Sequence, residues 1–177
     1  MNEPVSFEEP HRFSVAAVGP VGSRLFLLHA AQGAATLTVK VEKQQVAILA
    51  SYLARIVREL GRPGELPADL EFEADDEPEW AVGTIGVSYD DEIDRLVVVV
   101  EESVRDEDED DEEPGEAELD DGMVARILVT REQAAAFAIR ANQLVEAGRP
   151  PCPLCGLPLD PSGHDCPRTN GHRPPVT

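Results

Sequence analysis

Apolar positions along this chain follow two different periods, and the places where the period changes divide it into elements. Arg12 to Val18 is rich in small and β-branched residues and runs into Gly19-Pro20, a turn signal. Arg24 to Ala31 (RLFLLHAA) is an apolar run that reads as a buried strand. Ala35 to Val41 alternates, with Leu37, Val39 and Val41 on one face and Thr36, Thr38 and Lys40 on the other. The spacing then lengthens. Val46, Leu49, Leu53, Ile56, Val57 and Leu60 recur at helical intervals, which predicts an amphipathic helix over Glu42 to Leu60. Gly61-Arg62-Pro63-Gly64 ends it, and the proline-bearing, acidic stretch 61–79 reads as a loop.

The same order then returns. Trp80 to Tyr89 is strand-like, Asp90 to Asp94 turns the chain, and Arg95 to Val100 (RLVVVV) is an apolar strand. Met123 to Val129 is the next strand. A second helix, Arg131 to Ala147, sets Ala134, Phe137, Ala138, Ala141, Leu144 and Val145 on one face, and Gly148 with Pro150-Pro151 stops it. Each half thus reads strand, strand, strand, helix. Arg24-Leu25 and Arg95-Leu96 open matching strands, and Glu42-Lys43-Gln44-Gln45 and Thr130-Arg131-Glu132-Gln133 lead into matching helices. The expected fold is α+β. Two βββα units, at about 11–61 and 80–148, would build an antiparallel sheet, or two small sheets, with both helices on one side, inside a domain covering 1–148. Neither helix is long enough to persist alone, so each must lay its apolar stripe on a sheet.

Charge changes this picture in one place. The net charge of -20 is concentrated in residues 101–121, where Asp106 to Glu113 is an unbroken acidic run. Adjacent carboxylates repel and bury nothing, so about 103–121 is expected to be a disordered insertion between strands. An acidic surface with no basic stripe repels phosphate backbones and anionic lipid, which argues against nucleic acid and membranes as partners. The N-terminus shows no basic start followed by an apolar core, the pattern of a secretory signal, so a reducing cytoplasmic setting is expected.

All three cysteines fall in the last thirty residues, within PPCPLCGLPLDPSGHDCPR. An odd, clustered set containing C-x-x-C is not a disulfide framework. Cys152-x-x-Cys155, a gap of eight, and His164-x-Cys166 supply four soft or borderline ligands for a tetrahedral Zn2+, and 149–177 becomes a zinc-binding tail. His172 competes as fourth ligand, although H-x-C pairs more symmetrically with the first two cysteines. Four ligands leave no open position for water, and three thiolates weaken a Lewis acid, so the ion is expected to be structural. Elsewhere His29 reads as a core histidine, Trp80 as a core anchor, and Gly83 as a bulge or close backbone approach. No nucleophile-elbow or phosphate-loop context surrounds any serine or glycine.

The lead-in Pro10-His11-Arg12-Phe13, strand triplets before helices with the xExxQ pattern of Val41 to Gln45, and PPCPLCGLPLDPxGHxCPRxNGxR at 150–173 together resemble the bacterial family catalogued as domain of unknown function 3090. The resemblance spans nearly the whole chain and implies no established activity. It implies an aromatic residue where this chain has His172, which favours His164 as ligand, and it implies that the acidic run elaborates a variable loop. The expected role is a non-enzymatic binding or adaptor module with a protein partner. The alternative is an enzyme, or enzyme subunit, acting on a phosphorylated or thiol metabolite between the halves, with Arg12, Arg24 and Arg95 meeting its anion.

Overall fold

A computed structural model describes residues 4–72, 74, 77–104, 122–149, 152–157, 159, 164 and 166–168. The acidic run Asp106 to Glu113, residues 105–121 of the expected disordered insertion, and His172 lie outside them. The elements are β1 (Val5–Phe7), β2 (Arg12–Val18), β3 (Leu25–Gln32), β4 (Ala35–Val41), α1 (Lys43–Leu60), β5 (Val82–Asp90), β6 (Arg95–Glu102), β7 (Val124–Val129) and α2 (Arg131–Glu146). The architecture is α+β, with two sheets and two helices among the described residues. No described helix is long and apolar enough to cross a membrane.

The sheets run β2-β3-β4 and β1-β7-β6-β5. Each contains an antiparallel meander, as the alternating patterns require. The expectation of purely antiparallel sheet needs correction, because β1 pairs parallel with β7, Val5 opposite Ala125. The segment ahead of β5 does the converse: Ala81 bridges Lys40 of β4 in parallel, and Lys40 donates its N–H to the Trp80 carbonyl at 2.9 Å. The lead-in to each meander therefore pairs with the last strand of the other.

The helices cross over as well. α2, which follows the second meander, lies on β2, while α1, which follows the first, lies on β5. Phe13 of β2 stacks on Phe137 of α2, with centroids 4.6 Å apart. The two helices also pack on each other. Arg131, at the start of α2, donates to the Leu60 carbonyl at the end of α1 at 2.9 Å, and Lys43, at the start of α1, brings its ammonium beside Gly148 beyond the end of α2. Each cation thus meets the negative end of the other helix's dipole. One core results, drawn from both sheets and both helices.

Gln45 and Gln133 tie the helix starts to this crossover. Glu42 and Thr130 each donate a backbone N–H to the Oε1 of the glutamine three residues on, at 2.8 and 3.0 Å. The Nε2 of Gln45 then reaches the Val82 and Gly83 carbonyls, and that of Gln133 reaches the Pro10 carbonyl. Thr130 also caps α2, its hydroxyl accepting from Gln133 N–H at 3.1 Å. Thr130→Ala should cost about 1 kcal/mol. Gln133→Ala should cost more in urea denaturation, since it frees two backbone groups at once.

Candidate metal centre

The tail gathers its four candidate ligands through a tight turn. The N–H of Gly156 donates to the Cys152 carbonyl at 2.8 Å, and the N–H of Cys152 to the Leu157 carbonyl at 2.7 Å. Gly156 sits at φ +75°, in the left-handed region that glycine enters without a Cβ clash. The turn aims backbone amides at sulfur. The N–H groups of Cys155 and then Leu154 stabilise a thiolate at Cys152 and lower its pKa to about 6 against the cost of burial. Cys155 goes the other way: burial raises it, and the neighbouring Cys166 and Cys152 sulfurs raise it further. A cation would relieve that crowding by drawing every sulfur to the thiolate state.

The distances fit one ion. The ligand atoms of Cys152, Cys155, His164 and Cys166 all lie within 4.8 Å of one another. The sulfurs of Cys152 and Cys166 are 3.9 Å apart, and Nε2 of His164 is 3.6 Å from the Cys155 sulfur. A tetrahedral ion with bonds of ~2.3 Å to sulfur and ~2.0 Å to nitrogen would set these separations near ~3.8 and ~3.5 Å. No disulfide joins the three cysteines, and Cys152 and Cys166 are buried. The structure thus brings together the four residues that the spacing of the tail singles out, and they could hold a metal.

Two other sets of candidates separate or are already engaged. Arg12 and Arg24 fall at opposite ends of the β2–β3 ladder, where Arg12 faces Ala31 and Val18 faces Leu25, the neighbour of Arg24. The ladder puts roughly 20 Å between them, too far to share one anion. Arg12 is paired with Asp69 at 2.6 Å, and Arg95 donates to the Asp94 carbonyl at 3.0 Å. Ser14, His29 and Thr38 form a buried polar row across β2, β3 and β4. His29 Nδ1 lies 2.9 Å from the Thr38 hydroxyl, its ring stacks on Phe72, and Ser14 donates to the Leu70 carbonyl. The loop after α1 therefore folds back over this face and engages the row. Trp80 is buried in the core, and a Cβ on Gly83 would come within 2.9 Å of Ser103, the close approach expected there.

Sequence patterning gave no hint of two features. β1 is only three residues long, too short for a period to show. Ile48 and Tyr52 are large, exposed and one helical turn apart on α1, visible only once the buried face is known.

A two-sheet, two-helix α+β body followed by a cysteine–histidine cluster able to take a metal defines the class of protein. The chain belongs to the family described as protein of unknown function (DUF3090), whose model matches residues 5–166 and so includes all four candidate ligands. No curated protein and no solved structure matches the chain.

Proposed function

We propose that this protein is a binding module whose C-terminal tail is held in shape by one structural Zn2+ on Cys152, Cys155, His164 and Cys166. The observation that carries the reading is the convergence of three sulfurs and one imidazole nitrogen to within 4.8 Å. Soft thiolates in a tetrahedral set favour zinc, and a filled shell leaves no position for substrate or activated water. The exposed side chains of Leu154 and Leu157 flank Cys155 and give the tail a rigid apolar tip. On this reading 1–148 is the folding body and 149–177 the metal-dependent element that a protein partner recognises.

The body is a duplicated βββα unit with exchanged helices. Support comes from the strand registers. Val15 faces Leu28, which faces Val39 in one meander; Val87 faces Val98, which faces Ile127 in the other. Carried along the chain, these rows superpose Phe13 on Ile85, Phe26 on Leu96, Val41 on Val129 and Gln45 on Gln133. Phe26, not Leu25, therefore answers to Leu96. Matching the Arg-Leu pairs instead would slip the strand by one residue and turn its core face outward.

Metal analysis of the purified full chain should find one zinc per chain. Pulldown with and without residues 149–177 should then show a partner lost with the tail. A chain without stoichiometric metal, or a partner set untouched by the deletion, would sink the reading.

A further inference from the structure

The sheet edges are not equally protected. β1 is three residues long. The outer side of β4 takes Glu79 to Ala81, with Glu79 N–H on the Thr38 carbonyl at 2.8 Å. α2 closes β2, where Arg140 Nε donates to the Val15 carbonyl at 2.8 Å. β5 has nine residues and ends its sheet. Only the Val82 and Gly83 carbonyls, at its start, are taken by Gln45. Beyond them, among the described residues, no hydrogen bond reaches the outer backbone of β5. Thr84 to Ser88 (TIGVS) carries no charge and no proline, the usual means of blunting an edge.

Beside this edge lies a groove of about 450 Å³ lined by Gln45, Ile48, Leu49, Tyr52, Ile85 and Val87, among others. The superposition of the halves explains its origin. Phe13, Phe137 and Arg140 correspond to Ile85, Leu49 and Tyr52. In the first half the aromatic pair fills the gap and the arginine caps the edge carbonyl. In the second half the side chains are smaller, and the Tyr52 ring lies 4.3 Å beneath the Arg55 guanidinium. Ile48 is 58 % exposed, whereas its counterpart Ala136 is buried.

We infer that the β5 edge and this groove form a strand-addition site for a basic, extended segment of a partner protein. An added strand supplies both missing pieces: backbone donors for the outward carbonyls of Ile85 and Val87, and an apolar side chain for the groove. The outward direction follows from Val15, the counterpart of Val87, and from Gly83, which lies two residues before Ile85. Charge selects a basic occupant. β5 holds no cation; Val82 and Thr84 face Glu102 and Glu101, and Asp90 and Asp91 stand at the other end. A second copy would bring its own charge of -20 to the contact. The inference rests on the binding-module reading, but on the body rather than the tail.

The test uses the full chain with its metal and a nine-residue peptide, valine and threonine alternating around a central phenylalanine, with lysine and arginine at both ends. Binding is followed by fluorescence anisotropy and amide NMR. The peptide should bind, protect the amides of Ile85 and Val87, and lose at least 10-fold in affinity when alternate residues are N-methylated. Val87→Pro removes an outward amide and should cost at least 10-fold. Ile48→Lys, on an exposed position that should not disturb folding, should do the same at unchanged melting temperature. Equal binding of the N-methylated peptide would reduce the contact to charge alone and overturn the site. So would full affinity in Ile48→Lys. Dimerisation of the chain through β5, abolished by Val87→Pro, would overturn the choice of occupant. A partner set untouched by deletion of 149–177, with peptide binding intact, would overturn the zinc-tail reading and leave this one standing.

Discussion

Cys166→Ser should abolish stoichiometric metal binding and leave the melting of the body nearly unchanged. Cys166 is buried beside Cys152, and the two sulfurs are 3.9 Å apart. Losing a direct ligand removes more affinity than the ~10–100-fold typical of an outer partner. The tail sequence has few apolar residues, and two of them, Leu154 and Leu157, are exposed. On the proposed zinc reading the ion shapes the tail, and structural zinc contributes on the order of 10 kcal/mol to peptides of this kind. Chelation of the native chain should mimic the variant, seen as lost dispersion of tail NMR signals with the β-sheet signals in place. Protons compete with the metal for three sulfurs, so affinity should fall as pH is lowered. Cys152, whose pKa the Cys155 and Leu154 backbone N–H groups lower to about 6, should keep its negative charge to lower pH than Cys155, which burial raises. If body and tail melt together after chelation, the division of the chain is wrong.

Phe137→Ala should be the most damaging substitution in the body. Phe137 is 0 % exposed, stacks on Phe13, and belongs to the core cluster shared by both sheets and both helices. A buried Phe→Ala change costs about 3–5 kcal/mol, a large part of the ~5–15 kcal/mol that holds most domains. For a chain of this size the melting temperature should drop by roughly 10 °C, read by far-ultraviolet circular dichroism. Ile139→Ala, half-exposed two residues on, should change stability by no more than ~0.5 kcal/mol and serves as control. The ring bridges α2 of one half to β2 of the other. Its loss should therefore weaken both halves together, in one transition. Two separate transitions would contradict the exchange of helices.

Much of this was legible locally. Both helices stand where the period lengthens to 3.6, within a residue or two, because their apolar stripes are continuous and their ends carry glycine and proline. Six of the seven strands among the described residues follow from alternation or apolar runs. Spacing singled out the four candidate ligands, with His172 left as a rival to His164, since a C-x-x-C turn and an H-x-C return act over a few residues and need no distant partner. β1 escaped because Val5 to Phe7 gains its strand character only from Ala125 to Ile127 on the far side of the chain.

What the sequence determined, then, is the set of elements apart from β1, their order, the polar and apolar face of each, and the candidate metal ligands. All of these depend on contacts a few residues apart. Only the tertiary structure decided that each helix crosses to the opposite meander, that the lead-in strands are exchanged, and that, among the described residues, α2 closes β2 while the outer edge of β5 beyond Gly83 is left uncovered. Those choices depend on whether two rings and an arginine, or an isoleucine, a leucine and a tyrosine, meet across more than a hundred residues or some forty. No local pattern records that meeting, because its free energy comes from surfaces that exist only after the chain has closed.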